Sequence, residues 1–176
     1  MRRKLAIGWL LSILLLLTAC SSPPAGYVAL SPKNAVELAS AWAETSNVIM
    51  AGGLYKEGEY VSFTHKGMEY RYMAAHLDSK KKLKTEMQKF ITKKKAKRFM
   101  KEHGILKHKG KLAQPEVEIS SQLQWEMATA KELKVKNDYM VFEITVPIGD
   151  TRTAEKITVK YIYLKKTGWR IDKFNE

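Results

Sequence analysis

Tyr139-Met140-Val141-Phe142-Glu143-Ile144-Thr145-Val146-Pro147-Ile148 carries an apolar side chain at every even position from Met140 to Ile148. A period of two is that of a β-strand with one face in a core and the other in water. The pattern extends both ways. On the amino-terminal side, Leu123, Trp125, Met127, Leu133 and Val135 fall on odd positions, and Asn137-Asp138 supplies the reversal. On the other side, Gly149-Asp150-Thr151-Arg152 turns the chain into Ile157, Val159, Tyr161 and Tyr163. Thr167-Gly168 then leads into Trp169-Arg170-Ile171-Asp172-Lys173-Phe174. Short connections join antiparallel neighbours, so the stretch reads as a C-terminal antiparallel meander of about four strands.

Ahead of the Gln114-Pro115 break the dominant period is helical. Ser31-Pro32 provides an N-cap and a proline at the first helical position, where its missing N–H is no loss. Ala35, Leu38, Ala39, Trp42, Ile49 and Met50 then recur at helical spacing until Gly52-Gly53 stops the helix, with Trp42 on the core side. Residues 59–73 read as a hairpin turning at Lys66-Gly67, with Tyr70 and Tyr72 on one face, where packing outweighs binding as their role. Asp78-Ser79 caps a second helical stretch containing Leu83, Met87, Phe90 and Ile91. Thr92 starts a third, with Ala96, Phe99 and Met100 inward and Gly104 ending it. Lysines 93–95 would oppose the dipole of that third helix, so one bent helix over 79–103 competes with two. The fold class is α+β: amphipathic helices and a hairpin first, the meander second, with residues 31–176 as a single domain.

The first nineteen residues have the layout of a signal peptide. Arg2, Arg3 and Lys4 precede an apolar run over residues 5–17, which is shorter than the roughly 20 residues a spanning helix needs. The run closes on Leu17-Thr18-Ala19-Cys20, which reads as a lipobox. Lipid on Cys20 would anchor the protein at the outer face of a bacterial plasma membrane, since two acyl chains hold where one does not. Residues 20–30, with Ser21-Ser22-Pro23-Pro24-Ala25-Gly26, would form the tether. Cys20 is the one cysteine in the chain, which excludes an intramolecular disulfide and a multi-cysteine metal site.

The 176 residues hold 31 basic and 18 acidic side chains, for a net charge of +13. From Lys80 to Lys111 fourteen bases face two acids, Glu86 and Glu102, so this one segment is net +12. Nucleic acid is the usual partner of such a block. Export excludes it and leaves lipid headgroups or an anionic wall polymer, against the plainer role of a solvated lysine face. Catalytic signatures are missing from the text of the chain. His65, His76, His103 and His108 lack the spacing of a helical metal site, and no strained Gly-x-Ser-x-Gly turn or phosphate loop occurs. Glu116 with Glu118, and Glu126 with Glu132, are the available carboxylate pairs, and nothing marks them as buried. No cofactor is implied, and binding is favoured over catalysis.

Several strings carry a resemblance. Glu69-Tyr70-Arg71-Tyr72-Met73, Phe99-Met100-Lys101-Glu102-His103-Gly104-Ile105 and Lys109-Gly110-Lys111-Leu112-Ala113-Gln114-Pro115 resemble the IseA (YoeB) family of proteinaceous inhibitors of cell-wall DL-endopeptidases. So do residues 123–131 and the Val146-Pro147-Ile148-Gly149 strand end. The resemblance implies an exported, two-lobed α+β protein that blocks the substrate cleft of NlpC-type cysteine endopeptidases in a Gram-positive envelope. Such an inhibitor needs a rigid projecting loop. Two segments are candidates: Leu112, Ala113, Gln114, Pro115 and Glu116, preferred, with Trp125 as a nearby aromatic anchor unless core packing, the favoured rival, takes it, and the turn at Gly149-Asp150-Thr151-Arg152. After Gln114-Pro115 the chain departs from the family's acidic, glycine-containing pattern, reading Glu116-Val117-Glu118-Ile119-Ser120-Ser121. The rival from another class is a cone-shaped, nuclear-transport-factor-like domain with a deep small-molecule pocket, suggested by the Gly168-Trp169-Arg170-Ile171-Asp172-Lys173-Phe174 ending.

Overall fold

The structure, a computed structural model, describes residues 28–118 and 121–174. The expected signal peptide, Cys20 and most of the tether lie outside these residues. Helix α1 spans Pro32–Met50, capped by the Ser31 side chain, which accepts from the Asn34 N–H at 3.1 Å. It ends where Gly53, at φ 102°, donates its N–H to Val48 O at 2.8 Å. Glycine alone takes that conformation without a Cβ penalty. Ala35, Ala39, Trp42 and Ile49 form the buried stripe.

The region 79–103 resolves into two helices, α2 at Lys80–Met87 and α3 at Lys93–Glu102. The bent-helix alternative fails because residues 90–92 are recruited elsewhere. Ile171 N–H bonds to Phe90 O, and Thr92 N–H bonds to Ile171 O, both at 2.9 Å. The Thr92 hydroxyl then caps α3 by accepting from Lys95 N–H at 3.2 Å. Lys95, expected to strain the helix start, lies half-buried over the Phe174 ring at 5.1 Å. Burial holds its ammonium below the usual range.

Two antiparallel four-stranded sheets complete the fold. Sheet A has the order β1 (Ser62–His65), β2 (Met68–Tyr72), β4 (Lys111–Pro115), β3 (Leu106–His108). Its two hairpins turn on Lys66-Gly67 and Lys109-Gly110, each residue at positive φ (50°, 78°, 44° and 89°). That pair of left-handed residues matches the twist of the flanking strands. Sheet B is the meander β5 (Thr129–Val135), β6 (Tyr139–Pro147), β7 (Ala154–Leu164), β8 (Gly168–Phe174). Met140, Phe142, Ile144 and Val146 face Tyr161, Val159 and Ile157 across the β6–β7 ladder, and all are buried.

The meander starts later than the spacing suggested. Leu123 makes one bridge to Ile148, and Trp125–Met127 form a 3₁₀ turn instead of a strand. Trp125 and Ala128, three residues apart, pack on the core, while Met127 is 61% exposed. That is the three-residue period of a 3₁₀ helix, which coincides in part with alternation over so short a run. Leu133 and Val135 also sit about half in solvent, because β5 is an edge strand and its register shifts between Glu132 and Lys134.

The core is continuous. Trp42 meets Phe99 edge-on at 5.3 Å, Phe142 meets Tyr161 at 5.8 Å, and the Tyr161 hydroxyl donates to Ala35 O at 2.7 Å. The buried face of sheet B is therefore packed with side chains, where a nuclear-transport-factor-like cone would hold a ligand.

Candidate functional site: a braced turn at the end of sheet B

The β6–β7 connection begins at Pro147, which ends its strand, and Gly149, whose φ of 47° sets the reversal. Thr151 N–H donates to Ile148 O at 3.1 Å, and the Thr151 hydroxyl donates to the same carbonyl at 2.6 Å. Thr153 N–H donates to Thr151 Oγ1 at 3.2 Å, and Ile148 N–H to Thr153 O at 3.1 Å. Short hydroxyl-to-backbone bonds of this type fix a turn locally, without help from the rest of the fold.

A second set of bonds ties the turn to the segment ahead of the 3₁₀ turn. Gly149 N–H donates to Gln122 O at 2.7 Å, and Gln124 N–H to Pro147 O at 2.9 Å. The tip, Asp150-Thr151-Arg152, stays exposed with one acidic and one basic side chain. Trp125 lies below, half-buried against the core, and Met127 projects into solvent beside it in sequence. The turn is hydrogen-bonded both within itself and to the segment ahead of it, with its tip exposed. It can fill a complementary cleft without paying the ordering cost of a flexible loop.

The preferred sequence candidate sits elsewhere. Residues 112–116 do not project as a loop: Lys111–Pro115 is the inner strand β4, paired with β2 on one side and β3 on the other. Leu112, Ala113 and Gln114 are buried at 1%, 0% and 1% exposure. Gln114 turns its amide to the end of α1, where Nε2 donates to Met50 O at 2.5 Å. Arg71 Nη2 donates to the same carbonyl at 3.2 Å. The last carbonyls of a helix lack partners within it, and these two side chains reach one of them from sheet A. Pro115 packs where a Cβ on Gly104 would meet it at 3.3 Å. Only Glu116 is exposed, and it accepts from the Tyr60 hydroxyl. Trp125, weighed as the anchor of that loop against core packing, belongs to the 3₁₀ turn and packs against the core cluster.

One face of sheet A carries Phe63, Tyr70, Tyr72 and His108, with Tyr70 buried and the other three half-buried. Phe63 stacks on His108 at 4.1 Å and lies 4.8 Å from Tyr72, whose hydroxyl is 2.6 Å from His108 Nδ1. These rings satisfy one another, so the tyrosine pair is packing. Tyr55 donates to Tyr72 O at 2.7 Å, and burial pushes its own hydroxyl up to about 12. Glu59 is held below the usual carboxylate range by the Lys56 and Ala75 backbone N–H groups. Among the described residues no three His, Cys, Asp or Glu converge on one point, and no helix is long and apolar enough to cross a membrane. Glu116, Glu118, Glu126 and Glu132 are all exposed.

What sequence reasoning missed is the bracing: the Thr151-x-Thr153 spacing after Pro147-Ile148-Gly149 was its readable signal. The described residues thus form a small α+β domain that presents a hydrogen-bonded turn with an exposed tip. Residues 27–176 match the IseA DL-endopeptidase inhibitor family, and the chain belongs to it. It is similar to the protein YoeB of Bacillus subtilis (strain 168), described as uncharacterized, with 29% identity over 150 residues covering 83% of this chain and 82% of that one. The family is one of enzyme inhibitors.

Proposed function

We propose that this protein is a lipid-anchored inhibitor of NlpC-type peptidoglycan DL-endopeptidases, and that it acts by inserting the braced turn into the substrate cleft. The observation that carries the reading is the turn itself, on a chain belonging to a DL-endopeptidase inhibitor family. A cleft evolved for peptide stems accepts a projecting backbone. Ladder-like hydrogen bonds at 148–153 keep that backbone from relaxing into a cleavable extended form.

Lipid on Cys20 would hold the inhibitor at the outer face of the plasma membrane of a Gram-positive envelope, where the wall is remodelled. The basic segment from Lys80 to Lys111 supports a second, weaker attachment to anionic wall polymer. Two experiments test these statements. Purified protein should slow wall lysis by an NlpC-type enzyme at stoichiometric amounts, and Asp150→Ala with Arg152→Ala should weaken inhibition at least tenfold, about 1.4 kcal/mol. Unchanged lysis across several such enzymes sinks the inhibitor reading; full inhibition by the double variant moves the site away from the turn. Radioactive palmitate should label the native chain and leave Cys20→Ala unlabelled.

A further inference from the structure

The fourteen bases between Lys80 and Lys111 are not equivalent once folded. Three on the helices are taken by their own neighbours: Lys82 by Asp78 at 2.9 Å, Lys89 by Glu86 at 2.7 Å and Arg98 by Glu102 at 2.6 Å. Those pairs use every acid on α2 and α3. Lys80 and Lys84 stand four apart on α2, and Lys97 and Lys101 stand four apart on α3. These four line one groove of about 340 Å³ between the helices, floored by Met100 and Ile105. Among the described residues no carboxylate lines it.

Residues four apart on a helix are about 5–6 Å apart at Cβ, so the groove presents two short rails of positive charge on either side of an apolar floor. Four like charges in a groove that no described carboxylate lines repel one another and are stabilised by an anion that bridges both rails. Ammonium groups on flexible stems suit a chain of diffuse, mobile negative charges better than one rigid planar carboxylate. The continuation points the same way. Lys80 also lines the adjoining groove with Lys107 and Gly110, where Asp78 is the carboxylate and is engaged by Lys82 at 2.9 Å, so two lysines continue the track toward the β3–β4 turn.

We propose that the groove between α2 and α3 is a binding site for a linear phosphodiester polyanion, with Lys80, Lys84, Lys97 and Lys101 as its ligands and Met100 and Ile105 contacting the backbone carbons between phosphates. This narrows the basic segment to four lysines and is independent of the braced turn. The occupant is a polymer threading the groove, and a lipid surface is the outcome that would contradict it.

The test uses the whole protein in neutral detergent, titrated with poly(glycerol phosphate) and, separately, with micelles doped with phosphatidylglycerol. Two variants carry the same charge change: Lys80, Lys84, Lys97 and Lys101 all to Gln, and the exposed lysines Lys131, Lys136, Lys165 and Lys166 all to Gln. The groove variant should bind the polymer at least tenfold more weakly. Its log K against log salt should flatten by roughly 3, taking about 0.7 per phosphate contact as for single strands. The control variant should stay within about twofold. Equal losses in both variants would mean diffuse attraction by net charge and overturn the site. So would unchanged binding in the groove variant, or a groove effect seen with phosphatidylglycerol and not with polymer. Retained helical circular dichroism in both variants separates a lost site from a lost fold. Because no endopeptidase enters the titration, its result is separable from the inhibitor reading.

Discussion

At the scale of single residues, Gln114 shows how a conspicuous string can mislead. Gly110-Lys111-Leu112-Ala113-Gln114-Pro115 stands out as text, and a proline suggested a stiff surface loop. In the fold Gln114 is 1% exposed and serves a carbonyl sixty-four residues away. No local pattern announces such a partner. Gln114 Oε1 and Arg71 Nε have no partner among the described residues, while Gln114 Nε2 and Arg71 Nη2 both donate to Met50 O and Arg71 Nη2 also donates to Val117 O at 3.2 Å. Gln114→Leu should cost about 1–2 kcal/mol in urea unfolding, with Arg71→Met similar. Because the donors share one acceptor, the double variant should lose more than the sum; strict additivity would show that each bond acts alone.

His103 offers a second test at this scale. It lies against Phe99 at 4.2 Å, and burial holds its imidazole below the usual 6.5. The folded state therefore resists protonation. The stability tied to neutral His103 is complete above pH 6.5 and is lost as pH falls through the depressed folded value. Glu59 and Glu102 also have lowered values, and their loss begins only below 4.5. Between pH 7 and pH 5 the urea midpoint should fall in the native protein and fall less in His103→Gln. An identical decline in both would assign it to other groups.

At the scale of elements, helices and hairpins with their own punctuation were legible, and those fixed by distant partners were not. Ser31-Pro32, Ser79 and Thr92 all cap the helices they preceded in the sequence. The β3–β4 hairpin was overlooked although Lys109-Gly110 repeats the Lys66-Gly67 signal that revealed its neighbour. Its strands are too short, three and five residues, to show a period. Thr92 is the informative cap, since its hydroxyl both accepts from Lys95 N–H and donates to Asp172 Oδ1 at 3.0 Å. Thr92→Ala should cost about 1–2 kcal/mol, and Thr92→Ser should restore most of it. For the candidate site, Thr151→Val should leave the unfolding midpoint nearly unchanged yet weaken inhibition of an NlpC-type enzyme. Undiminished inhibition would mean that bracing the turn is not what the target reads.

At the scale of the molecule, the α+β class and the C-terminal meander were readable, because a period of two runs on from Met140 to Tyr163, whereas before Gln114-Pro115 it shows only in the 59–73 hairpin among helices. The assembly was less so. Leu112 and Met73 of the first half join Phe142, Tyr161 and Ile171 of the second in one buried cluster around α1. Unfolding should therefore be a single transition by circular dichroism and by tryptophan fluorescence. Phe142→Ala should shift both signals together, by about 3–5 kcal/mol. Two separable transitions would mean that the sheets are independent units.

One bond at the beginning of the described chain has a mechanical meaning. The indole of Trp169, in the last strand, donates to Val28 O at 2.7 Å, ahead of α1. A pull on the amino-terminal side thus meets the final strand before it reaches the first helix. To peel the domain from that end, the applied force must break a clasp closed by the last element of the fold. The chain is fastened like a belt, tongue to buckle, and resists tugging from the side on which an anchor would pull.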